Sequence, residues 1–136
     1  MATSVARPGT AAEISHRVVG AAMKIHTQLG PGLLESAYEA CLVQELRLRG
    51  MEVRQQVAVP VVYEGVKLEV GYRIDVLVEN CVVVEIKNVE AIAPVHCAQA
   101  LSYLKLSGKK LALLINFNVV HLKDGIRRFV NGYDWN

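Results

Sequence analysis

The chain of 136 residues has about the length of one domain, and 52% of its residues are hydrophobic while 21% are charged. This composition excludes a disordered chain and a disulfide-stabilised miniprotein. Every apolar run is shorter than the roughly 18 residues of a membrane-spanning helix, so we expect a cytoplasmic protein without a membrane partner. Cys41, Cys81 and Cys97 lie in apolar runs and are expected to be reduced thiols.

The net charge of +2 is unevenly distributed along the chain. From Lys105 to the end there are six basic and two acidic residues, whereas the first 104 residues carry nine basic and eleven acidic ones. A basic C-terminal third suits a polyanionic partner, although an ordinary solvated surface is the simpler explanation. Arg127 and Arg128 have the same two interpretations, as solvated side chains or as contacts to a nucleic-acid backbone.

The N-terminal part of the sequence predicts a flexible arm followed by helix. Residues 1–9 show no periodicity, and we expect a single domain over residues 10–136. Thr10 and Glu13 have the spacing of a capping box, and apolar residues follow at helical intervals. A first helix is therefore predicted, which ends near Gly30.

After a second amphipathic helix over residues 33–49, the pattern changes to the period of two that is typical of strands. Pro94 begins a third predicted helix, which reaches Leu106 or Ser107. The element order α-α-β-β-β-α-β plus a C-terminal hairpin predicts an α/β (α+β) domain, a mixed β-sheet flanked by helices. The predicted strands cover residues 53–61, 68–78, 82–87 and 110–116, and the hairpin joins 119–122 to 126–130 through Asp124-Gly125.

The segment 71–88 is apolar on both faces of two predicted strands, which is typical of central strands covered on both sides. Asp75, Glu85 and Lys87 interrupt this apolar pattern. A three-residue loop over 79–81 would set Asp75 directly opposite Glu85, with Cβ atoms about 4.5–5.5 Å apart. A two-residue loop would instead turn Asp75 to the other face of the sheet.

Two carboxylates at this separation repel each other by roughly 3–4 kcal/mol at an effective dielectric constant near 20. Such a pair requires compensation, and a divalent cation with oxygen ligands can supply it. A buried Asp–Lys–Glu network that only stabilises the hairpin can supply it too. The spacing alone leaves both interpretations open.

Asp75 followed ten residues later by Glu85-Ile86-Lys87 resembles the D…(D/E)xK signature of the PD-(D/E)XK nuclease superfamily. The stretch Gly32–Tyr38 resembles the motif that names the bacterial GxxExxY protein family, a branch of that superfamily. The resemblance extends from about residue 14 to residue 132. It implies a restriction-endonuclease-like core over residues 33–116.

The same resemblance implies a catalytic site with Mg²⁺, or Mn²⁺ as a substitute. Asp75, Glu85 and the main-chain carbonyl of Ile86 would hold the metal ion, and Lys87 would be the catalytic lysine. Glu35 would reach the cation through water or contribute to a second metal ion.

Six further residues are candidates for auxiliary or substrate-binding roles. Gln99 and Tyr103 resemble a QxxxY element, and their spacing puts both on one helical face. Arg73 is a candidate for contacting phosphate or pairing with Glu85. Structural interpretations compete for the others, since a buried Tyr38 packs well in a core and most histidines are satisfied structurally. The remaining candidates are His26 and His96.

The resemblance implies a metal-dependent nuclease that hydrolyses phosphodiester bonds, with DNA favoured over RNA. The alternative from another functional class is a non-catalytic nucleic-acid- or protein-interaction module that retains the fold. A third hypothesis is a metal-dependent hydrolase that acts on another phosphorylated substrate. Because the domain is small, a homodimer or a partner protein is expected to help enclose a duplex.

Overall fold

The computed structural model describes residues 9–131, so most of the expected N-terminal arm and the last five residues lie outside the described part. Gly9 is exposed and belongs to no helix or strand. The described residues form three α-helices, seven strands and one 3₁₀ turn. In chain order they are α1 (Ala11–Leu29), α2 (Glu35–Leu48), β1 (Val53–Ala58), β2 (Val61–Tyr63), β3 (Val66–Leu68), β4 (Arg73–Val78), β5 (Val82–Lys87), α3 (Pro94–Ser107), β6 (Leu111–Asn116), the 3₁₀ turn (Leu122–Gly125) and β7 (Ile126–Val130).

Five strands form one sheet in the order β1-β4-β5-β6-β7, with β5 at its centre. Strands β5 and β6 pair in parallel, and the other neighbours pair antiparallel. Helix α3 is the crossover that the parallel pair requires. The expected mixed sheet flanked by helices is confirmed.

Two apolar layers cover the sheet. Helices α1 and α2 pack on one face, and α3 packs on the other. Because both layers meet at β5, its first five residues are buried, which agrees with the prediction of a doubly covered strand. The three cysteines are free and partly exposed, and no helix within residues 9–131 is long and apolar enough to cross a membrane.

The helix boundaries follow the local signals in the sequence. At the start of α1, the main-chain nitrogen of Glu13 donates to Thr10 Oγ1 over 3.1 Å, and that of Thr10 donates to Glu13 Oε1 over 2.9 Å. This capping box confirms the predicted start of α1. Helix α3 ends at Gly108, which has a left-handed φ of 69°. Both boundaries were set by residues close in sequence.

The predictions of single strands over residues 53–61 and 68–78 were wrong, because the structure divides the first between β1 and β2 and the second between β3 and β4. Strands β2 and β3 form a separate two-stranded hairpin whose β3 is fully exposed. Gly71 has a φ of 86°, a conformation that interrupts an extended strand, and β4 begins only at Arg73. The hairpin therefore projects from the main sheet.

The predicted C-terminal hairpin between residues 119–122 and 126–130 was also wrong. Asp124-Gly125 closes a 3₁₀ turn, and β7 pairs with β6 rather than with the segment before the turn. Gly125 is packed so closely on the carbonyl oxygen of Asn116 that a Cβ atom would overlap it. Packing on the end of β6 thus decides the turn, and this contact is invisible in the local sequence.

Candidate active site

The pairing of β4 with β5 brings two carboxylates together. Val78 pairs with Val82 across the loop 79–81, in the register that the sequence predicts. Beyond Val76 the regular ladder ends and the side chains of Asp75 and Glu85 take its place. The main-chain nitrogen of Asp75 donates to Glu85 Oε2 over 3.1 Å, and that of Ile86 donates to Asp75 Oδ2 over 2.9 Å. The two acids are direct neighbours.

A distortion in β1 accompanies the end of this ladder. Gln56 lies between two paired positions of β1, opposite Asp75, and its φ of 52° is left-handed. Ile74 packs in the layer of Leu77 and Val83, whereas strict alternation predicts that it joins Val76 on the other face. The backbone is therefore irregular at the strand position that carries the candidate carboxylate, as is frequent at functional sites.

Glu39 on α2 lies near the two acids and was missed in the sequence. Gln56 Nε2 donates to both carboxylate oxygens of Glu39 over 3.1 Å and lies 3.5 Å from Asp75 Oδ1. Gln55 Nε2 also donates to Glu39, over 2.9 Å. Glu39 is one helical turn after Glu35, so the spacing of acids along α2 could have indicated it.

The positive charge of Lys87 does not offset the cost of ionising Asp75 and Glu85 at this site, because the pKa of both acids is raised. Glu85 is only 3% exposed, and burial together with the nearby charges of Asp75 and Glu39 raises its pKa to about 8, against the hydrogen bond from the Asp75 main chain and the charge of Lys87, which lower it. Burial also raises the pKa of Asp75, against the hydrogen bond from Ile86 and the nearby charge of Lys87, which lower it. A bound cation would remove this cost, because it favours the ionised form of both carboxylates.

Lys87 is held by the helix that crosses over the sheet. Its Nζ donates to Gln99 Oε1 over 3.2 Å, and Gln99 Nε2 donates to the Tyr103 hydroxyl over 3.2 Å. Both α3 residues share one face, as their spacing predicts. One amide thus fixes the ammonium group at one end and the tyrosine at the other, on the same side of the sheet as Glu85.

The carboxylate of Glu35 binds the main chain at the end of β5. Its Oε2 accepts a 2.9 Å hydrogen bond from the main-chain nitrogen of Asn88, the residue after Lys87. The Asn88 side chain in turn donates to the carbonyl oxygen of Leu33. Glu35 therefore anchors the turn before α2 to the end of β5.

Comparison with known proteins agrees with this geometry. A family model described as the PD-(D/E)XK nuclease superfamily matches residues 12–129. The chain belongs to the PD-(D/E)XK nuclease superfamily. Its sheet and flanking helices form the restriction-endonuclease-like fold of this superfamily. No curated protein and no solved structure matches the chain.

Tyr38 of this nuclease-superfamily domain lies in the core. Its side chain is fully buried and its ring stacks on Phe117, with centroids 4.3 Å apart. Its hydroxyl accepts from the main-chain nitrogen of Leu33 over 3.1 Å and donates to the carbonyl oxygen of Gly30. Core packing with a tethered hydroxyl, the structural interpretation of this residue, describes what is observed.

Tyr38→Phe is expected to lower the free energy of unfolding by about 1–3 kcal/mol, because two main-chain groups lose their partner while the ring stays in place. Urea denaturation measures this change. Tyr63→Phe, at an exposed tyrosine, is the matched control and is expected to leave the stability unchanged. Equal stability of the two variants would contradict the structural role of the Tyr38 hydroxyl.

The two histidines and Arg73 each contact a main-chain group. His26 is buried against Phe117, and its Nε2 lies 2.8 Å from the carbonyl oxygen of Val119. His96 accepts from the main-chain nitrogen of Ala93 at the start of α3. The guanidinium of Arg73 donates to the carbonyl oxygen of the preceding residue and is exposed, so the expected pair with Glu85 is not formed.

The oxygen atoms of Asp75, Glu85 and the neighbouring main chain are ligands that suit a hard divalent cation. No group of three or more His, Cys, Asp and Glu side chains within residues 9–131 is arranged to hold a metal ion. Asp75 and Glu85 supply two carboxylates, and the main chain of Ile86 lies against the first of them. Oxygen ligands of this type, completed by water, are those that Mg²⁺ binds. The residues present therefore fit a hydrated divalent ion.

Proposed function

We propose that the protein is a metal-dependent nuclease that hydrolyses phosphodiester bonds of nucleic acid, with DNA favoured over RNA. The observation that carries the proposal is the contact between Asp75 and Glu85, with Lys87 held on the same side of the sheet. The desolvation and mutual repulsion of these neighbouring carboxylates, one buried and one partly buried, oppose their main-chain hydrogen bonds, and a divalent ion would offset that cost. Membership of the nuclease superfamily gives this arrangement its chemical interpretation.

In the proposed mechanism, the carboxylates bind the metal ion and Lys87 acts on the attacking water. Asp75, Glu85 and the carbonyl of Ile86 would hold Mg²⁺, which supplies charge stabilisation at the scissile phosphate and lowers the pKa of a bound water. Lys87 orients or deprotonates the attacking water and offsets negative charge that develops in the transition state. Gln99 fixes the position of the lysine ammonium group.

We further propose that the protein belongs to the bacterial GxxExxY branch. Two contacts of the motif residues support this assignment. The Tyr38 hydroxyl binds the main chain of the turn before α2, and Glu35 binds the main chain of Asn88. The acid of the motif would thus act on the metal site indirectly. Glu39, whose charge acts on Asp75 and which shares the Gln56 amide with it, would be the α2 carboxylate that binds a metal-bound water.

The direct test is a cleavage assay on labelled single- and double-stranded DNA and RNA, with Mg²⁺, with Mn²⁺ or with EDTA. We expect cleavage that requires a divalent ion and that Asp75→Asn abolishes. Asp124→Asn is the matched control, since Asp124 is exposed in the 3₁₀ turn, and it should cleave like the wild type.

Cleavage that persists in EDTA, or that is equal in the wild type and Asp75→Asn, would refute the proposal. Binding of nucleic acid without turnover in either metal ion would favour the alternative of a non-catalytic module. A domain of this size covers little of a duplex, so we also expect a second copy or a partner protein at the substrate.

A further inference from the structure

An open groove runs along α3 beside the candidate active site. It has a volume of about 570 Å³ and is lined mainly by Tyr72, Val95, His96, Gln99, Ser102 and Tyr103. Gln99 both lines this groove and accepts the hydrogen bond from Lys87 Nζ. A molecule in the groove would therefore lie next to the group that holds the lysine.

The groove offers an aromatic surface in a fixed position. The side chain of Tyr72 is exposed, with 47% of its surface accessible, and its ring centroid lies 5.8 Å from that of Tyr103 at an angle of 49°. The main-chain nitrogen of Val59 donates to the Tyr72 carbonyl oxygen over 2.9 Å, which fixes the backbone beneath the ring. An exposed ring in a groove that Val95 and Leu106 also line suits a flat ligand that stacks on it.

The polar groups of the groove can donate hydrogen bonds. His96 Nδ1 accepts from the main-chain nitrogen of Ala93, so the neutral ring carries its proton on Nε2. The Tyr103 hydroxyl accepts from Gln99 and keeps its own proton for another acceptor. None of the described lining residues is Asp or Glu. A planar ligand rich in acceptor atoms would fit this set of donors.

We propose that this groove is a subsite for an unpaired nucleobase and that the substrate is single-stranded at the site of cleavage. A base in a duplex is stacked on both faces and paired along its edge, so it cannot present a free face to Tyr72. An unpaired base can stack on the ring and accept hydrogen bonds from His96 or Tyr103. This inference rests on the proposed nuclease function and specifies its substrate.

The test measures binding in EDTA, where no metal-dependent cleavage occurs. A single-stranded DNA of about 12 nucleotides that contains 2-aminopurine, whose fluorescence is quenched by stacking, is titrated with the protein, and the same strand in a duplex is titrated in parallel. We expect quenching and tighter binding for the single strand. Tyr72→Leu should weaken single-strand binding about tenfold and abolish the quenching, because the stacking surface is lost.

Two further variants distinguish the loss of a stacking surface from a loss of folded structure. Tyr72→Trp keeps an aromatic surface and should retain both affinity and quenching, whereas Tyr63→Leu changes an exposed tyrosine outside the groove and should have no effect. Unchanged affinity of Tyr72→Leu, equal losses for single strand and duplex, or no quenching by the wild type would overturn the subsite. The cleavage assay tests the proposed nuclease function separately, and that function is refuted if metal-dependent cleavage is absent.

Discussion

Lys87→Ala is expected to reduce the rate of phosphodiester cleavage about a thousandfold while the protein stays folded. The side chain is half-buried and its ammonium group has one observed partner, Gln99 Oε1 at 3.2 Å, so its removal leaves little structure unsupported. In the proposed mechanism the loss falls on catalysis, because there the ammonium group offsets transition-state charge and positions the attacking water. Single-turnover cleavage with Mn²⁺, combined with thermal denaturation, measures both quantities.

A matched lysine lies on the opposite face of the sheet. Lys24 on α1 forms a surface ion pair with Glu45, and Lys24→Ala should cleave like the wild type. Cleavage by Lys87→Ala within a few-fold of that control would show that the lysine is not part of the reaction.

The role assigned to Gln99 can be tested with a double mutant. Gln99→Ala is expected to slow cleavage about tenfold, because the ammonium group loses its fixed position. If Gln99 acts through the lysine, the double variant should be no slower than Lys87→Ala alone. Additive losses in the double variant would contradict a positioning role.

In EDTA, the free energy of unfolding is expected to fall as the pH rises from about 5 to about 8. The pKa of Glu85 in the folded protein is about 8, against an ordinary value of 4.5. Between these values the folded protein keeps a proton that the unfolded chain has lost, so stability present below pH 4.5 is lost as the pH rises through the folded pKa. The expected change is on the order of a few kcal/mol.

Urea denaturation at several pH values measures this slope. Glu85→Gln, which resembles the protonated acid, should flatten the slope and stabilise the protein at pH values above about 8, leaving the smaller contribution of Asp75, whose pKa is also raised. Glu90→Gln, at an exposed acid, should keep the slope of the wild type. An identical slope in all three proteins would mean that Glu85 is ionised at neutral pH without a metal ion.

The carboxylate pair was predictable because it depends on one short turn. Glu79 and Asn80 both have left-handed φ values, 52° and 54°, and the resulting loop fixes the register of β4 with β5. This register directs β4 and β5 so that Asp75 and Glu85 follow the last regular pair, Val76 with Val84, and the two side chains then bind the main chain across the strands. The start of α1 at Thr10 was predictable for the same reason.

The sequence indicated an acid of α2 but not which one lies beside Asp75, because that depends on how the helix lies across the sheet. Glu35 and Glu39 share one face of α2, and only Glu35 belongs to the motif that the sequence analysis used. In the structure Glu35 binds the main chain of Asn88, and Glu39 faces Gln56 and Asp75. Only the tertiary packing distinguishes an acid that anchors a turn from one that lies near the candidate metal ligands.

The errors in strand assignment also come from tertiary structure. Residues 68–78 are rich in valine, and periodicity alone does not reveal that β3 ends at Leu68 and turns away from the sheet. Gly71 was the local signal for this break. At the C-terminal end, the contact of Gly125 with Asn116 overrides the tendency of an Asp-Gly pair to form a hairpin turn.

The two central strands and the crossover helix form one continuous stretch, Arg73–Ser107, and this stretch supplies both candidate metal ligands, the lysine, Gln99 and Tyr103. Its strands are apolar on both faces and cannot persist in water alone, so the outer helices and strands serve chiefly as cover. Apolar cover can be built from many different residues of suitable volume. Volume-conserving substitutions in this cover are therefore expected to leave the geometry of the candidate site nearly unchanged.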